Sequence, residues 1–297
     1  MQNKIWLIYL VTSLAMLIWG LSYIWVDVAL DYYSAATIAS VRVFIATAFM
    51  ISLALITGKL EKVRKKDLKL FMMFGFFDPF CYFLCESYGI DNATPTSAAV
   101  IIATIPLLTP VSAFLILKEK LSIINILGII VSFSGVILVV VTQNFNLAIE
   151  PAGLFLLTGA VICAIFYNFF LRNLAGKYNL YTVISVQNIF ACIYFLPVFL
   201  IHGIPDMSAV KLNTEIAVTM IALSILASAL AFIFYANGIK FLGITKANVF
   251  ANMIPVFAAV FSYLLLDEIL ELHQFIGIAV VIAGVFLSQT GVKNQLK

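Results

Sequence analysis

The sequence predicts an all-α integral membrane protein with ten transmembrane helices arranged as two inverted five-helix repeats. Three observations predict this fold: the composition, ten long apolar segments and an internal repeat. Of the 297 residues, 64% are hydrophobic and 10% are charged, whereas a typical soluble domain is about 45–50% apolar and about 25% charged. A soluble chain of this composition would expose too much apolar surface to water. The composition therefore excludes an ordinary cytosolic enzyme, a disordered chain and a nucleic-acid-binding protein.

Ten segments are long and apolar enough to cross a membrane, which takes about 20 mostly apolar residues. They are residues 5–26, 34–57, 69–90, 96–117, 122–142, 152–171, 180–201, 215–238, 245–266 and 272–290. The longest polar stretch covers residues 59–69, so no soluble domain is expected between the spans. The first segment lacks a convincing small-residue cleavage site, and we expect it to be a span and not a signal peptide.

Lysines and arginines in the short loops orient the chain, because they concentrate on the cytoplasmic side of a membrane. With the N-terminus in the cytoplasm, every Lys and Arg falls inside except Lys211, in an outer loop, and Arg42, within the second span. Acidic residues then occupy the outer side: Asp27, Asp31, Glu86, Asp91, Glu150, Asp206, Glu215, Asp267, Glu268 and Glu271. This pattern predicts that both termini are cytoplasmic, and it places Glu86 near the outer face.

The second half of the chain repeats part of the first. Shifted by 149 residues, segment 89–138 aligns without a gap on segment 238–287, with 18 identities in 50 positions. Chance similarity between apolar helices explains shared Leu and Val, but not matched Pro, Glu and Gly in one register. The matched pairs include Gly89/Gly238, Thr96/Thr245, Pro106/Pro255, Glu119/Glu268, Gly128/Gly277 and Gly135/Gly284.

Each repeat contains five predicted helices, with residues 1–145 forming the first half and residues 146–297 the second. Because five is odd, the second half enters the membrane from the opposite side. The halves are then related by a pseudo-two-fold axis in the membrane plane. Secondary transporters commonly have this architecture, with the substrate site between the halves near the midplane.

Three stretches carry a family resemblance: AATIASVRVFIATAFM (35–50), SYGIDNATPTSAAVIIATIPLLTPVSAFLILKEKLS (87–122) and NGIKFLGITKANVFANMIPVFAAVFSYLLLDEIL (237–270). The chain resembles bacterial EamA-type members of the drug/metabolite transporter (DMT) superfamily over nearly its whole length. The resemblance implies export of small polar metabolites, often amino acids or drug-like compounds, through a central cavity. It also implies a bacterial inner (plasma) membrane location, an Arg at the position of Arg42, and no bound cofactor.

Two ionisable residues lie at span depth, where such groups are costly and indicate function. Asp78 is in the middle of the third span and is followed by Pro79, which opens the preceding helical turn. Asp78 could bind a substrate ammonium group or carry a proton; alternatively, it is a protonated carboxyl bonded to freed backbone. Arg42 could bind a carboxylate bidentately, or it could tie helix ends together or snorkel to the interface.

Further polar and aromatic residues are candidates for the wall of a substrate cavity. Trp19 lies deep in the first span, Tyr82 shares the helix face of Asp78, and Thr104 precedes the matched Pro106. Paired helix interruptions at Pro106 and Pro255 point to the binding site in inverted-repeat transporters. The remaining candidates are Tyr167, Asn168, Gln187, Asn188, Asn248 and Asn252. Each amide could instead join helices by hydrogen bonds.

Glycines seven residues apart in the fifth and tenth spans lie on one helix face and allow close packing. They predict packing within each half or, alternatively, the contact surface of a homodimer.

The sequence therefore predicts a secondary transporter that exports small metabolites, in particular amino acids or related compounds, by alternating access. A facilitative uniporter or a drug-type exporter of the same fold is the alternative. An intramembrane enzyme is disfavoured because the chain has no HExxH or GxSxG motif. We expect a small-molecule substrate and the lipid bilayer as partners, with no nucleic acid, no cofactor and no metal.

Overall fold

The computed structural model describes residues 2–108, 123–140, 149–210, 213–243, 247 and 250–293. These residues form helices and contain no strand, so the all-α prediction is confirmed. The helices are α1 (Gln2–Leu30), α2 (Ala35–Ile56), α3 (Lys65–Asp91), α4 (Pro95–Leu108), α5 (Ile123–Val140), α6 (Pro151–Ala175), α7 (Leu180–Ala209), α8 (Thr214–Leu242), α9 (Met253–Leu265) and α10 (Leu272–Lys293). Each overlaps one predicted span.

Six of these helices are long and apolar enough to cross a membrane, namely α1, α2, α3, α6, α7 and α8. The apolar parts of α4, α5, α9 and α10 are shorter within the described residues. The protein is thus an all-helical membrane protein, while the count of ten crossings stays a prediction.

Several helices begin where a side chain can satisfy a free backbone N–H group. The residue before each of α2, α4, α7 and α8 accepts a hydrogen bond from the backbone N–H three residues on; these residues are Ser34, Thr94, Asn179 and Asn213. In α4 the cap is followed by Pro95, which has no N–H to satisfy. These local signals explain why the observed starts agree with the predicted ones within a few residues.

Most of the larger helix contacts join helices of different predicted halves. Helix α1 packs on α8 and α9, α2 on α7 and α8, α3 on α6 and α7, α4 on α6 and α9, and α5 on α10. If each helix is exchanged for the helix five positions away in the chain (α1 for α6, for example), the same set of pairs results. The main core therefore lies between the halves.

Helices α5 and α10 approach closely through glycines. A Cβ atom on Gly128 would lie 2.7 Å from the carbonyl oxygen of Gly284, and one on Gly135 would lie 2.7 Å from that of Gly277. This register shows that α5 and α10 run in opposite directions. Close packing at these glycines is confirmed, but the expectation that it lies within each half is wrong. Because the glycines join the halves, their face is already occupied within the chain and does not support a homodimer.

Helix α3 is broken at Asp78, as the following proline predicts. An α-helix (Leu68–Gly75) leads into a π-helical segment (Phe76–Cys81), in which Asp78 has an extended backbone (φ −147°, ψ 124°), and an α-helix continues over Tyr82–Asp91. The break carries the Asp78 carboxylate on irregular backbone in the interior of the bundle.

Helices α4 and α9 are interrupted at equivalent positions. In α4 a turn at Ala103 and Thr104 precedes Pro106, and in the second half a turn at Asn252 precedes the start of α9 at Met253. A shift of 149 residues superimposes these two interruptions. Glu119 and Thr245, two of the matched residues, lie outside the described residues.

Candidate functional site

A cavity lies between the two halves, bordered by residues of α1, α2, α3, α4, α6, α8 and α9. The space between its lining atoms is about 740 Å³, including the part that opens to the surroundings. Binding sites for small molecules are concave and lined mostly by apolar and aromatic side chains. Aromatic side chains form most of the wall: Trp19, Tyr23, Tyr82, Phe83, Tyr167, Phe232 and Tyr235.

Many of the residues predicted from the sequence border this central cavity. They are Trp19, Arg42, Asp78, Tyr82, Tyr167 and Asn168. Both helix interruptions also reach it, since Ala103 and Pro106 line it from α4 and Ile254 lines it from α9. The cavity therefore forms where three irregular stretches of helix meet.

The aromatic wall is held in place by edge-on ring contacts and one hydrogen bond. The Trp19 ring centroid lies 5.2 Å from that of Phe232 and 5.1 Å from that of Tyr235, both edge-on. The indole Nε1 of Trp19 donates a hydrogen bond to the carbonyl of Ala227 at 3.1 Å. The Tyr167 ring packs edge-on against Phe232 from the other side, at 5.8 Å. The rings are thus positioned before any substrate enters.

Arg42 is buried, and its guanidinium is engaged within the protein. Its Nη1 lies 3.0 Å from Oε2 of Glu86, and its Nε donates to Oγ of Ser228 at 2.9 Å. The guanidinium carbon lies 3.7 Å from the centroid of the Phe83 ring, a cation–π distance. These contacts join α2, α3 and α8, and they favour the structural role that the sequence left open for Arg42.

Glu86 is a candidate site residue that the sequence analysis did not include, because the charge pattern grouped it with the acidic residues of the outer side. Its side chain is buried in α3, borders the cavity and pairs with Arg42, while its depth in the membrane stays a prediction. Its Oε1 also accepts a hydrogen bond from the Tyr82 hydroxyl at 2.9 Å. The signal was the spacing of Asp78, Tyr82 and Glu86, four residues apart, which puts all three on one face of a helix.

Asp78 has no ion-pair partner within the described part of the chain. The three other buried charged residues there, Arg42, Glu86 and Asp67, are paired: Arg42 with Glu86, and Asp67 with the partly exposed Lys177 at 2.8 Å. The Asp78 side chain is only 3% exposed, and its Oδ1 has no hydrogen-bond partner among the described residues. The Tyr167 hydroxyl, on the facing helix α6, also has none there. The cavity thus presents a carboxyl group without an ion-pair partner and a hydroxyl group without a hydrogen-bond partner among the described residues.

Gln187 and Asn188 border a second, smaller pocket behind Asp78, with about 260 Å³ between its lining atoms. Gln187 Nε2 donates to the backbone carbonyl of Asp78 at 2.6 Å. Thr104 and Asn252 are buried beside the helix interruptions and do not border the central cavity. The hydroxyl of Thr104 donates to the Ile101 carbonyl at 2.6 Å.

Asn248 lies outside the described residues. Among the described residues, no group of three His, Cys, Asp or Glu side chains could hold a metal ion.

The chain belongs to the EamA-like transporter family, which it matches twice, over residues 6–141 and 151–290. It is 26% identical to the uncharacterized transporter YetK of Bacillus subtilis, over 84% of this chain and 77% of that protein. It is also 26% identical to the uncharacterized transporter YyaM of the same organism, over 88% and 86%.

A probable terminal-alkyne amino-acid exporter of Streptantibioticus cattleyicolor is 23% identical over 92% of this chain and 90% of the exporter. A solved crystal structure superposes on 96% of this chain and 98% of its own, with a TM-score of 0.68 and 16% identity, which shows a shared fold. Family, relatives and helices together define a membrane-embedded transporter with a small-molecule substrate.

Proposed function

We propose that this protein is a secondary transporter that exports small compounds bearing an ammonium group, amino acids first among them. The observation that carries the proposal is the unpaired Asp78 carboxylate beside a cavity walled by aromatic rings. A buried carboxylate without a counter-charge is costly. A substrate ammonium group would supply that charge, and aromatic faces attract cations as well.

The charges around the cavity favour an amine or a zwitterion over a purely anionic substrate. The positive charge of Arg42 is already balanced by Glu86 at 3.0 Å, so a substrate carboxylate would have to compete with that pair. The Tyr167 hydroxyl and the Asn168 amide border the same cavity and offer neutral donors for a carboxylate. An amino acid could therefore place its ammonium group at Asp78 and its carboxylate towards α6.

The named relative supports this substrate class, because one protein that this chain resembles is a probable amino-acid exporter. We further propose that residues 1–145 and 146–297 are the two halves that rock against each other in alternating access. The set of helix pairs that join the two halves is unchanged when the halves are exchanged, which supports this arrangement. In this proposal the protein lies in the bacterial plasma membrane with both termini in the cytoplasm, and it catalyses no covalent chemistry.

The proposal is tested by counterflow in proteoliposomes that contain the purified full-length chain. Vesicles are preloaded with one amino acid, and uptake of the same labelled compound is followed beside protein-free vesicles. A saturable overshoot is expected for a subset of amino acids, since a carrier shows it and an open pore does not. Absence of an overshoot for every amino acid, from folded protein, would overturn the substrate class.

Asp78→Asn tests the role of the carboxylate, with Asp91→Asn as the matched control. Loss of a hydrogen bond to a charged group costs about 1.5–3 kcal/mol, so we expect the half-saturating concentration to rise about 10- to 150-fold. Asp91 is on the same helix but exposed at its end, and its substitution should leave counterflow unchanged. If Asp78→Asn shows wild-type counterflow, the substrate ammonium group does not bind at Asp78.

A drug-type exporter is the second candidate, favoured by the aromatic lining of the cavity. If lipophilic cations inhibit counterflow at lower concentrations than amino acids do, a drug-type exporter becomes the first candidate.

A further inference from the structure

The break in α3 lacks the hydrogen bond that would fix the Asp78 peptide in a regular helix. In an α-helix, a backbone carbonyl accepts a hydrogen bond from the N–H four residues on. For Asp78 that donor would be Tyr82, but the N–H of Tyr82 bonds to the carbonyls of Phe77 and Pro79 instead. The α-helical bond therefore does not determine how the Asp78 segment is held.

Gln187 of α7 supplies a bond to this segment from the other predicted half of the chain. Its Nε2 donates to the backbone carbonyl of Asp78 at 2.6 Å. Gln187 is 2% exposed and Asp78 is 3% exposed, so water cannot take over the bond if the amide is removed.

Gly75 brings α7 close enough for the Gln187 side chain to reach the break. A Cβ atom on Gly75 would lie 2.6 Å from the backbone carbonyl oxygen of Gln187 and 3.1 Å from the backbone nitrogen of Ala191. Such an approach of two backbones requires a residue without a side chain. Because Gly75 is three residues before Asp78, this close contact lies directly beside the break and fixes the backbone from which Gln187 extends.

Gln187 and Asp78 differ in their access to substrate. Asp78 borders the central cavity, whereas Gln187 borders only the smaller pocket behind it. A substrate in the central cavity would therefore contact Asp78 without contacting Gln187. Any effect of Gln187 on such a substrate has to pass through the Asp78 segment.

We infer that Gln187 is a positioning residue, which holds the break in α3 so that the Asp78 carboxyl group faces the central cavity. The inference rests on the proposed function to the extent that Asp78 binds the substrate. Without the amide, the Asp78 carbonyl loses a buried hydrogen-bond partner, and other backbone geometries of the break become populated. The apparent affinity for substrate then falls with the fraction of molecules in which the carboxyl group is correctly placed.

The substitution Gln187→Met tests this role, because it keeps an unbranched side chain of similar length and removes the donor. In counterflow, the half-saturating concentration of the amino acid should rise about 2- to 12-fold, as expected for one hydrogen bond between neutral groups. A role in stability alone would lower the amount of folded protein and the maximal rate, and would leave the half-saturating concentration unchanged.

Asn237→Leu is the matched control. Asn237 is a partly buried amide in α8 that bonds the backbone of its own helix and borders neither pocket. Its substitution should leave the half-saturating concentration at the wild-type value.

A double-mutant cycle shows whether Gln187 acts through Asp78. In the Asp78→Asn background little of the interaction with the ammonium group is left for Gln187 to position. Adding Gln187→Met should therefore raise the half-saturating concentration less than twofold further. An equal rise in both backgrounds would mean that Gln187 acts on the substrate independently of Asp78, and it would overturn the inference.

Hydrogen–deuterium exchange tests the break itself on the purified full-length chain without substrate. Peptides that cover residues 76–83 should exchange faster in Gln187→Met than in the wild-type protein or Asn237→Leu, while peptides of α10 keep their rate. If Gln187→Met does not fold, Gln187→Asn keeps the amide, withdraws it by one methylene group and should have the same effect.

Two further outcomes would overturn the positioning role: unchanged exchange over residues 76–83, and a lower maximal rate with an unchanged half-saturating concentration. The exchange measurement needs no transport. Absence of counterflow in the wild-type protein therefore bears on the proposed function, whereas unchanged exchange at the break bears only on Gln187.

Discussion

Replacing Glu86 by Gln removes the negative charge that balances Arg42 while keeping the shape of the side chain. Arg42 is 2% exposed and Glu86 is 5% exposed, so water cannot solvate the charge that remains. Breaking a buried ion pair by removing one partner costs about 3–5 kcal/mol, because the other charge is left uncompensated. The bonds from Arg42 to Ser228 and from Tyr82 to Glu86 depend on the same arrangement. We therefore expect a loss of stability near 3–5 kcal/mol.

A double-mutant cycle separates the pair from its surroundings. The variants are Glu86→Leu, Arg42→Met and the double variant Arg42→Met/Glu86→Leu, each unfolded by heat or denaturant in one detergent. Glu86→Gln is measured beside them. Replacing both members of a buried ion pair by apolar residues is often neutral or stabilising. The double variant should therefore be more stable than either single variant.

Glu215→Gln is the matched control for this cycle. Glu215 also accepts a hydrogen bond from a tyrosine hydroxyl, that of Tyr32 at 2.6 Å, but at an exposed site. Water replaces the lost interaction there, so stability should change little. If Glu86→Gln were no more destabilising than Glu215→Gln, the ion pair would not be buried. If the losses of stability of the two single variants simply added in the double variant, the two residues would not depend on each other.

Three further predictions concern packing, the contact between the halves and topology. Gly135→Ala should destabilise the protein by about 1–3 kcal/mol in a detergent unfolding assay, because its Cβ would lie 2.6 Å from a backbone nitrogen of α10. Gly159→Ala is the control and should not destabilise the protein, since its Cβ would meet only a sulfur at 3.4 Å; equal effects of the two substitutions would refute the helix contact. Thr96→Val removes the 2.8 Å hydrogen bond to the α9–α10 loop and should cost about 1–2 kcal/mol in the same assay, whereas unchanged stability would show that the bond contributes nothing. In a cysteine-free background, a membrane-impermeant maleimide should label Asn213→Cys but not Lys62→Cys in intact cells; the reverse would invert the topology.

The positions of the helices could be predicted from the sequence because helix formation in a membrane is local. Every backbone N–H and C=O group in lipid must be satisfied within its own helix, so an apolar run of sufficient length predicts a span by itself. The break in α3 was equally predictable, since Pro79 removes a backbone donor whatever surrounds it. Cavity-lining positions of Trp19 and Tyr82 followed from their depth and helix face.

The partners of these residues could not be predicted in the same way. Lipid is as apolar as leucine, so hydrophobic pattern carries little information about which helix faces meet. Glu86 was assigned to the outer side because it lies near the end of a span, and its pairing with Arg42 connects residues 44 positions apart on different helices. The glycines of α5 and α10 were recognised as packing residues, but not as a contact between the halves.

The sequence by itself determined that this chain is a helical membrane protein with an internal repeat and a family relationship to transporters. Only the tertiary structure decided that Arg42 is neutralised by Glu86 and that Asp78 is left without a counter-charge between two pockets. The reason is that membrane insertion depends on the summed hydrophobicity of each segment. The charge state and accessibility of a buried group depend on its neighbours in space, which packing brings together from distant parts of the chain.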